Sequence, residues 1–512
     1  MEVALPSNSA DEPAIHRLVD DILAYIFLLN ANPQPEWSRY LPIPKLKDPP
    51  TVEHATTVAS SQVCTRWRSI ALSCHTIWSL IIDYRRHSLK WIETLLDRSN
   101  PSPLDFGSRF SIVSLEAGGQ GVLELVFNHI DRLRIFNLYV PASSWEFVCS
   151  RFLQMPAPNL EFMQVFNETA GHLTHPLFNN HAPNLRSLGL ERCTIDLTSP
   201  VLTPLTELYV SLSEENAHPS LLDWLNILRE MPSLRSIRLF RAISSGSPND
   251  ILPFIHLSAL DLLYVNGPLH ECVTLVKHLI VPPRCGLHLK CDNTHLGFDQ
   301  RQLWAIIKKK IDSWAKNAPY RRLNVVAGSG FIDIGNLPRE DDGWGSEEVD
   351  PIMSISLYLS TLEEAVPLFH SLFALFERTF FDTKCLHLWI DDEAEAFTPS
   401  FDSLRDFVNL DKLIVGNDSL LKILFPFLQH ANSVLLPTIK TLHFYDVTFR
   451  DGSISIHRVA DFLQWRREQG FPVQKIDIFG GMINKKYVLT HIQDTVVELD
   501  YSYSDTEEED NI

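Results

Sequence analysis

Long hydrophobic runs are missing from this chain: no apolar stretch approaches the roughly 20 residues that a helix needs to cross a bilayer. A membrane-spanning helix is therefore not expected. Basic residues are also short, with 44 Lys and Arg against 63 Asp and Glu and a net charge of −19. Binding to nucleic acid relies on neutralising phosphates, and binding to anionic membrane surfaces needs the same sign of charge, so neither is expected. Cysteine is scarce, at eight residues without paired spacing, which excludes a disulfide framework and fits free thiols in a reducing compartment. The opening stretch MEVALPSNSADEP is acidic and has no apolar segment of signal-peptide length. The expected location is the cytoplasm or the nucleus.

Catalytic signatures are lacking too. Gly118-Gly119-Gln120-Gly121 has neither the spacing nor the Lys of a phosphate-binding loop, and Gly328-Ser329-Gly330 lacks the outer glycines of a nucleophile elbow. Both are expected to be turns. Cys285, His288 and Cys291 are the best metal candidates, but on a strand the two cysteines point to one face and the histidine to the other. His172 and His175 could share a helical face, with no third ligand near them in sequence. Lys308-Lys309-Lys310 and Arg321-Arg322 form a basic patch near a helix end, which suits a solvated face. No catalytic residue, metal or cofactor is expected.

What is present is a folded composition, 45% hydrophobic and 21% charged, over 512 residues. Near the start, Ile15 to Leu29 reads as one amphipathic helix, opened by Asp20 and Asp21 and carrying Ile22, Ile26 and Leu29 on one face. Thr56 to Leu80 reads as a second helix with a stripe of Val63, Trp67 and Ile70, closed by a turn at Trp78. Elements this small cannot bury a full core alone, so part of their apolar surface is expected to await a partner.

At these residues the chain resembles an F-box. The resemblance rests on Leu18, Asp20-Asp21, Ile26-Phe27, the run Val63-Cys64-Thr65-Arg66-Trp67 and a distal Trp78. It departs from the family pattern at Val19, where proline is usual, and in a Pro-rich insert at residues 32–54. Surface insertions cost little, because closure entropy grows slowly with length. The resemblance implies an F-box-like domain over residues 12–90 that docks on a Skp-type adaptor and through it on a cullin. Leu18, Ile22, Ile26, Phe27, Val63, Cys64 and Trp67 would face the adaptor or hold the helices that do, and Trp78 would join this domain to the next. A helical cap on the following domain is the alternative.

After a polar link read from Leu95 to Pro103, the regime changes. Ala157-Pro158-Asn159-Leu160 with Met163 and Val165 recurs as Ala182-Pro183-Asn184-Leu185 with Leu188 and Leu190, and as Met231-Pro232-Ser233-Leu234 with Ile237 and Leu239. Looser copies reach Leu499-Tyr501, among them Leu323-Val325 and Ile355-Leu357. Helix-period stretches lie between them, including Ser144 to Gln154, Ser220 to Glu230 and His457 to Gln469. A strand and helix pair that cannot bury its own apolar face must stack on its neighbours. The expected fold class is α/β, a small helical domain followed at residues 104–501 by a solenoid that resembles an irregular leucine-rich-repeat horseshoe. An ordinary α/β sheet is the alternative. The combination resembles the large F-box families of mushroom-forming fungi.

Side chains alternate along a strand, so residues beside the apolar pairs point away from the core. Phe162, Phe166, Tyr209, Arg238, Phe240, Tyr264, Trp389, His443 and Tyr445 are such positions, and aromatic residues suit binding hot spots. Asn336 to Asp350 reads as a projecting acidic loop, and residues 502–512 as an acidic disordered tail in which Ser504 or Thr506 could be phosphorylated. The expected function is a non-enzymatic substrate receptor of a Skp/cullin/F-box ubiquitin ligase, holding a protein substrate on the repeats. The alternative is a repeat scaffold whose F-box has decayed.

Overall fold

A computed structural model describes residues 14–31, 52–107, 113–114, 119–173, 176–244, 246, 250–292, 300–315, 322–328, 330–335, 353–359, 362–376, 380–391, 394–431, 433–445, 447–450, 454–479, 483–492 and 495–500. Most of the Pro-rich insert, the 336–350 loop, His175 and the 502–512 tail lie outside the described residues. The protein is mixed α/β with large, mostly parallel sheets, and it divides into two compact units, Met1–Ala217 and His218–Ile512. The boundary at residues 90–104 read from sequence thus falls inside the first unit.

Among the described residues the first unit opens with a 3-10 turn at Ala14–Arg17 and then five α-helices: α1 (Asp20–Ala31), α2 (Val52–Ser60), α3 (Thr65–Ser73), α4 (His75–Leu80) and α5 (Leu89–Ser99). Two corrections to the sequence reading follow. The Thr56 to Leu80 segment is parts of three helices and not one helix with a closing turn, because α2 stops at Ser60, Cys64 caps α3 with its sulfur accepting from the Trp67 amide, and Cys74 ends α3 and opens α4. Leu95 to Pro103 is not a polar link, since α5 buries Ile92, Leu95, Leu96 and Ser99 at helical spacing. Its polar residues Glu93, Asp97 and Arg98 occupy the other faces, and they gave the stretch its misleading character. Buried Arg132 then ties α5 to the strands, donating to the Leu96 carbonyl (3.1 Å), Ser99 Oγ (2.7 Å) and the Ser102 carbonyl (2.9 Å).

Among the described residues six parallel strands follow: β1 (Leu104–Phe106), β2 (Val113–Ser114), β3 (Leu133–Val140), β4 (Phe162–His172), β5 (Ser187–Thr194) and β6 (Glu207–Ser211). Both β1 and β2 pair with β3, after which β3, β4, β5 and β6 pair in sequence order. The recurring Pro-Asn-Leu phrase has a physical cause. Asn159 Nδ2 donates to the Asp131 carbonyl (2.6 Å), and Asn184 Nδ2 donates to the Pro158 carbonyl (2.9 Å), so each turn caps the one before it. The leucine of each phrase is fully buried. Gly119-Gln120-Gly121 opens helix α6 (Gln120–Phe127) and is not merely a turn. The Ser144 to Gln154 helix is replaced by a single α-turn, α7 (Trp145–Phe147), flanked by 3-10 and π segments.

In the second unit the strands are β7 (Ser236–Phe240), β8 (Ile255–His256), β9 (Leu262–Pro268), β10 (Leu279–Ile280), β11 (Gly286–Asp292), β12 (Arg322–Ala327), β13 (Phe331–Gly335), β14 (Met353–Tyr358), β15 (Cys385–Ile390), β16 (Lys412–Gly416), β17 (Thr441–Tyr445), β18 (Lys475–Phe479) and β19 (Val496–Asp500). Helices alternate with many of them, including Leu221–Arg229, Leu269–His278, Gln300–Ala315, Leu362–Leu375, Asp418–His430 and Ile454–Glu468. The same turn capping returns: Asn409 Nδ2 donates to the Phe381 carbonyl, and Thr438 Oγ1 to the Leu410 carbonyl. β8 and β10 form a separate parallel pair.

Beyond that separate pair, sequence order among the described strands breaks between β11 and β15. β11 pairs with β14 and not with β12, because β13 runs back antiparallel between β14 and β12, and β12 passes on to β15. Leu323-Val325 and Ile355-Leu357 therefore are not consecutive repeats. The signal was available: Ile332 and Ile334 alternate just after Gly328 and Gly330, the pattern of a hairpin return.

Arg466, on the Ile454–Glu468 helix, is fully buried and holds the far end of this unit together. Its guanidinium donates to the carbonyls of Leu435 (3.1 Å), Leu436 (3.1 Å), Pro437 (3.4 Å) and Phe471 (3.0 Å). Burial lowers its pKa to about 10, so it stays charged at neutral pH. Arg466→Ala orphans these carbonyls and is expected to cost about 3 kcal/mol. Arg466→Lys is expected to recover less than half of that, since an ammonium cannot reproduce the fork. The midpoint of urea unfolding checks both.

Candidate functional site

Two surfaces carry the residues singled out from sequence. The first is on the helical cluster of the first unit. Its core is Leu23, Phe27, Ala31, Ile70, Ala71, Ile77, Trp78, Ile81 and Leu95, with the Trp67 ring 5.3 Å from that of Phe27 and tilted by 59°. Phe27 is thus a core residue, and Trp67, Leu18 and Ile26 are half-buried, the first two packed against that core. Trp78 is also a core residue, its Nε1 donating to the Ala71 carbonyl at 2.7 Å. Arg66 pins the start of α1, donating to the Leu18 carbonyl (2.5 Å) and to Asp20 (2.7 Å).

The face of α1 turned to the core is Leu23, Phe27 and Ala31, not the stripe of Ile22, Ile26 and Leu29. Ile22 is 46% exposed, Tyr25 57%, Leu29 54% and Val19 63%, and Val63, outside α3, is 60% exposed. Both faces of α1 are apolar, so periodicity could not tell which faces inward. Tyr25 joins this stripe although sequence reasoning passed over it; its place at i+3 from Ile22 was the signal.

The second surface is the outward side of the strands. In the first unit Phe166 sits 6.3 Å from Tyr139, and the Tyr209 hydroxyl donates to Glu191 at 3.0 Å, while burial raises the pKa of Glu191. Phe162, placed outward by alternation, is instead buried. In the second unit Phe240 stacks on Tyr264 (4.6 Å) and Tyr264 on His288 (5.5 Å), while exposed Arg238 pairs in register with Tyr264. Trp389, Tyr445 and Phe479 form a second group, with Trp389 to Tyr445 at 6.0 Å and Tyr445 stacked on Phe479 at 5.5 Å. His443 lies 3.8 Å from Asp477.

Between these groups, where the strand order reverses, Asp333 accepts from Ser356 Oγ (2.5 Å) and Asn324 Nδ2 (3.0 Å), and burial raises its pKa. His288 Nδ1 meets Ser354 Oγ at 2.7 Å. As alternation requires, Cys285 and Cys291 are buried while His288 faces outward, and all eight cysteines are free thiols. His172 lies on β4, not on a helix, with its Nδ1 2.6 Å from Thr194 Oγ1. Among the described residues no group of three His, Cys, Asp or Glu side chains could hold a metal ion. Of the basic patch, Lys308 and Lys309 are exposed, but Lys310 is partly buried and donates to the Leu279 carbonyl. It borders a small, largely apolar cavity of about 60 Å³ lined also by Leu263, Val276, Cys285 and Met353.

No protein-family model matches the chain, and no curated protein matches it. Among the described residues no helix is long and apolar enough to cross a membrane.

Burial holds His288 and His387 at a pKa of about 4, below the ordinary 6.5, with Arg238 adding to the effect at the first and His443 at the second. Unfolding therefore takes up protons between pH 6.5 and 4. Stability is expected to be full above the unfolded value and to fall by about 2 kcal/mol per histidine as pH drops toward the folded one. Urea midpoints at the two ends of this window check the slope, which His288→Gln with His387→Gln is expected to flatten.

Proposed function

We propose that this protein is a substrate-recognition subunit of a Skp/cullin/F-box ubiquitin ligase. The helical cluster would be a divergent F-box docking on the Skp-type adaptor. The parallel strands would be divergent leucine-rich repeats holding a protein substrate. The observation that carries this reading is the exposed apolar stripe of Ile22, Tyr25 and Leu29 on α1, with Val19 just before it, on a cluster whose other side is fully packed. Surface of this kind on a folded domain favours a protein partner. Support for the repeats comes from strands pairing in sequence order in the first unit and from turns capped by the preceding turn. The ligase would act by proximity, raising the local concentration of a substrate lysine near the ubiquitin carrier.

Co-expression with the adaptor and pull-down tests this. Wild type is expected to capture adaptor stoichiometrically, and Ile22→Asp with Tyr25→Ala to lower capture by about a hundredfold, since two central hot spots are lost. Both side chains are largely exposed, so the melting temperature is expected to stay within about 2 °C. Folded wild type that captures none overturns the ligase reading in favour of a repeat scaffold.

A further inference from the structure

Two histidines of the helical cluster meet edge to face. His54 on α2 and His87, just before α5, bring Nδ1 and Nε2 within 3.0 Å with their rings at 80°, and the His54 ring also lies against Trp91 of α5 at 6.3 Å. The protons on both rings can be assigned. The Asp83 backbone N–H donates to His87 Nδ1 at 3.2 Å, so that nitrogen is a bare acceptor. A neutral imidazole carries its proton on the other nitrogen, which makes His87 Nε2–H the donor and His54 Nδ1 the acceptor. Both rings are therefore neutral in this arrangement. A proton on His54 Nδ1 would oppose the His87 N–H, and one on His87 Nδ1 would oppose the Asp83 N–H.

The two sides of this bond are held unequally. The His87 loop is wound around Asp83, whose Oδ1 accepts from the amides of Arg85 (3.0 Å) and Arg86 (3.3 Å) and whose carbonyl accepts from the His87 amide (3.1 Å). On α2, by contrast, Thr57 and Ser60 are the buried side chains among those described, and Val58 is half-buried. Thr57 Oγ1 finds no hydrogen-bond partner among the described residues. With so little apolar burial of its own, α2 depends on the histidine bond for its place. Burial lowers the pKa of both rings; the His54 ring and Arg86 add to this at His87, and Asp83 opposes it at both. α1 and α3 pack on α2, but their Asp20 and Arg66 pair with each other, and Asp21, Tyr25 and Arg68 act on neither ring. A released ring returns to the ordinary value near 6.5, so the closed arrangement is fully favoured above that pH and loses ground below it.

We propose that His54 and His87 form a proton-released latch, which holds α2 to the helical cluster while both rings are neutral and frees it when either takes up a proton. α2 packs on α1, the helix that carries exposed Ile22, Tyr25 and Leu29, so its release bares a further face of the proposed docking helix. The latch stands on the hydrogen-bond geometry; its bearing on the adaptor rests on the ligase reading above.

The test is hydrogen–deuterium exchange of the full chain at pH 7.5 and pH 5.0, read by mass spectrometry as protection of the amides after correction for their intrinsic rates. Protection of Val52–Ser60 is expected to fall at least about tenfold between the two, while that of Leu89–Ser99 changes by less than about threefold. His54→Phe keeps a ring against Trp91 and cannot be protonated, so its α2 is expected to show the same protection at both pH values, whether high or low. Wild-type α2 protected equally at both pH values overturns the proposal with no variant needed, and so does a tenfold fall that persists in His54→Phe. Adaptor capture at the two pH values reads the coupling separately: an α2 that opens in acid without a change in capture sinks the coupling and leaves the latch, and no capture at either pH sinks only the ligase reading.

Discussion

Turn-to-turn capping is the interaction on which the rest of this structure depends. Many of the parallel strands begin where a backbone amide reaches the carbonyl of the preceding strand's start, as Arg186 does to Glu161 and Thr206 to Arg186, and Lys440 to Asp411 and Gln474 to Lys440. Asn159, Asn184 and Asn409 add side-chain donors at the same places. This fixes the register of neighbouring strands, and a slip of one residue would turn every side chain to the opposite face. Because the register holds, Leu388, Val415, Phe444 and Ile478 share the buried side, while Trp389, Gly416, Tyr445 and Phe479 share the open one.

The helical cluster obeys a different constraint. Five short helices have too little mutual surface to bury all their apolar residues, and they spend the inner face of α1 on Phe27, Trp67 and Trp78. The outer face is left to solvent or to a partner. Arg132 and Arg466 show a third device, a buried guanidinium that donates to carbonyl and hydroxyl oxygens. Such a group fixes loops that have no repeating partner of their own, and it does so at a high desolvation cost.

Much of the fold was legible in the chain. The L-x-L pairs from Met163 to Ile478 are strands, and the stretches around Leu225, Val276, Leu424 and Phe462 are helices. Legibility ended where two patterns shared one signature. Leu323-Val325 looks like Ile355-Leu357 whether or not a returning strand lies between them, and Ile22-Ile26-Leu29 looks like a core stripe because α1 is apolar on both sides. The polar face of α5 concealed its buried one. For the candidate surfaces, alternation placed Trp389, Tyr445 and Tyr264 outward correctly but failed at Phe162, because burial depends on what covers a face as well as on its direction.

By itself the sequence determined the local elements, the repetition of strand and turn, the acidic balance and the lack of a long apolar span, since each follows from residue types at short spacing. Tertiary structure alone decided the order β11, β14, β13, β12, β15, the inward face of α1, the burial of Arg132 and Arg466, and the laying of Trp389 across Gly416. Those are set by contacts between residues far apart in the chain, where competing apolar faces and backbone donors differ in energy only once their neighbours are in place.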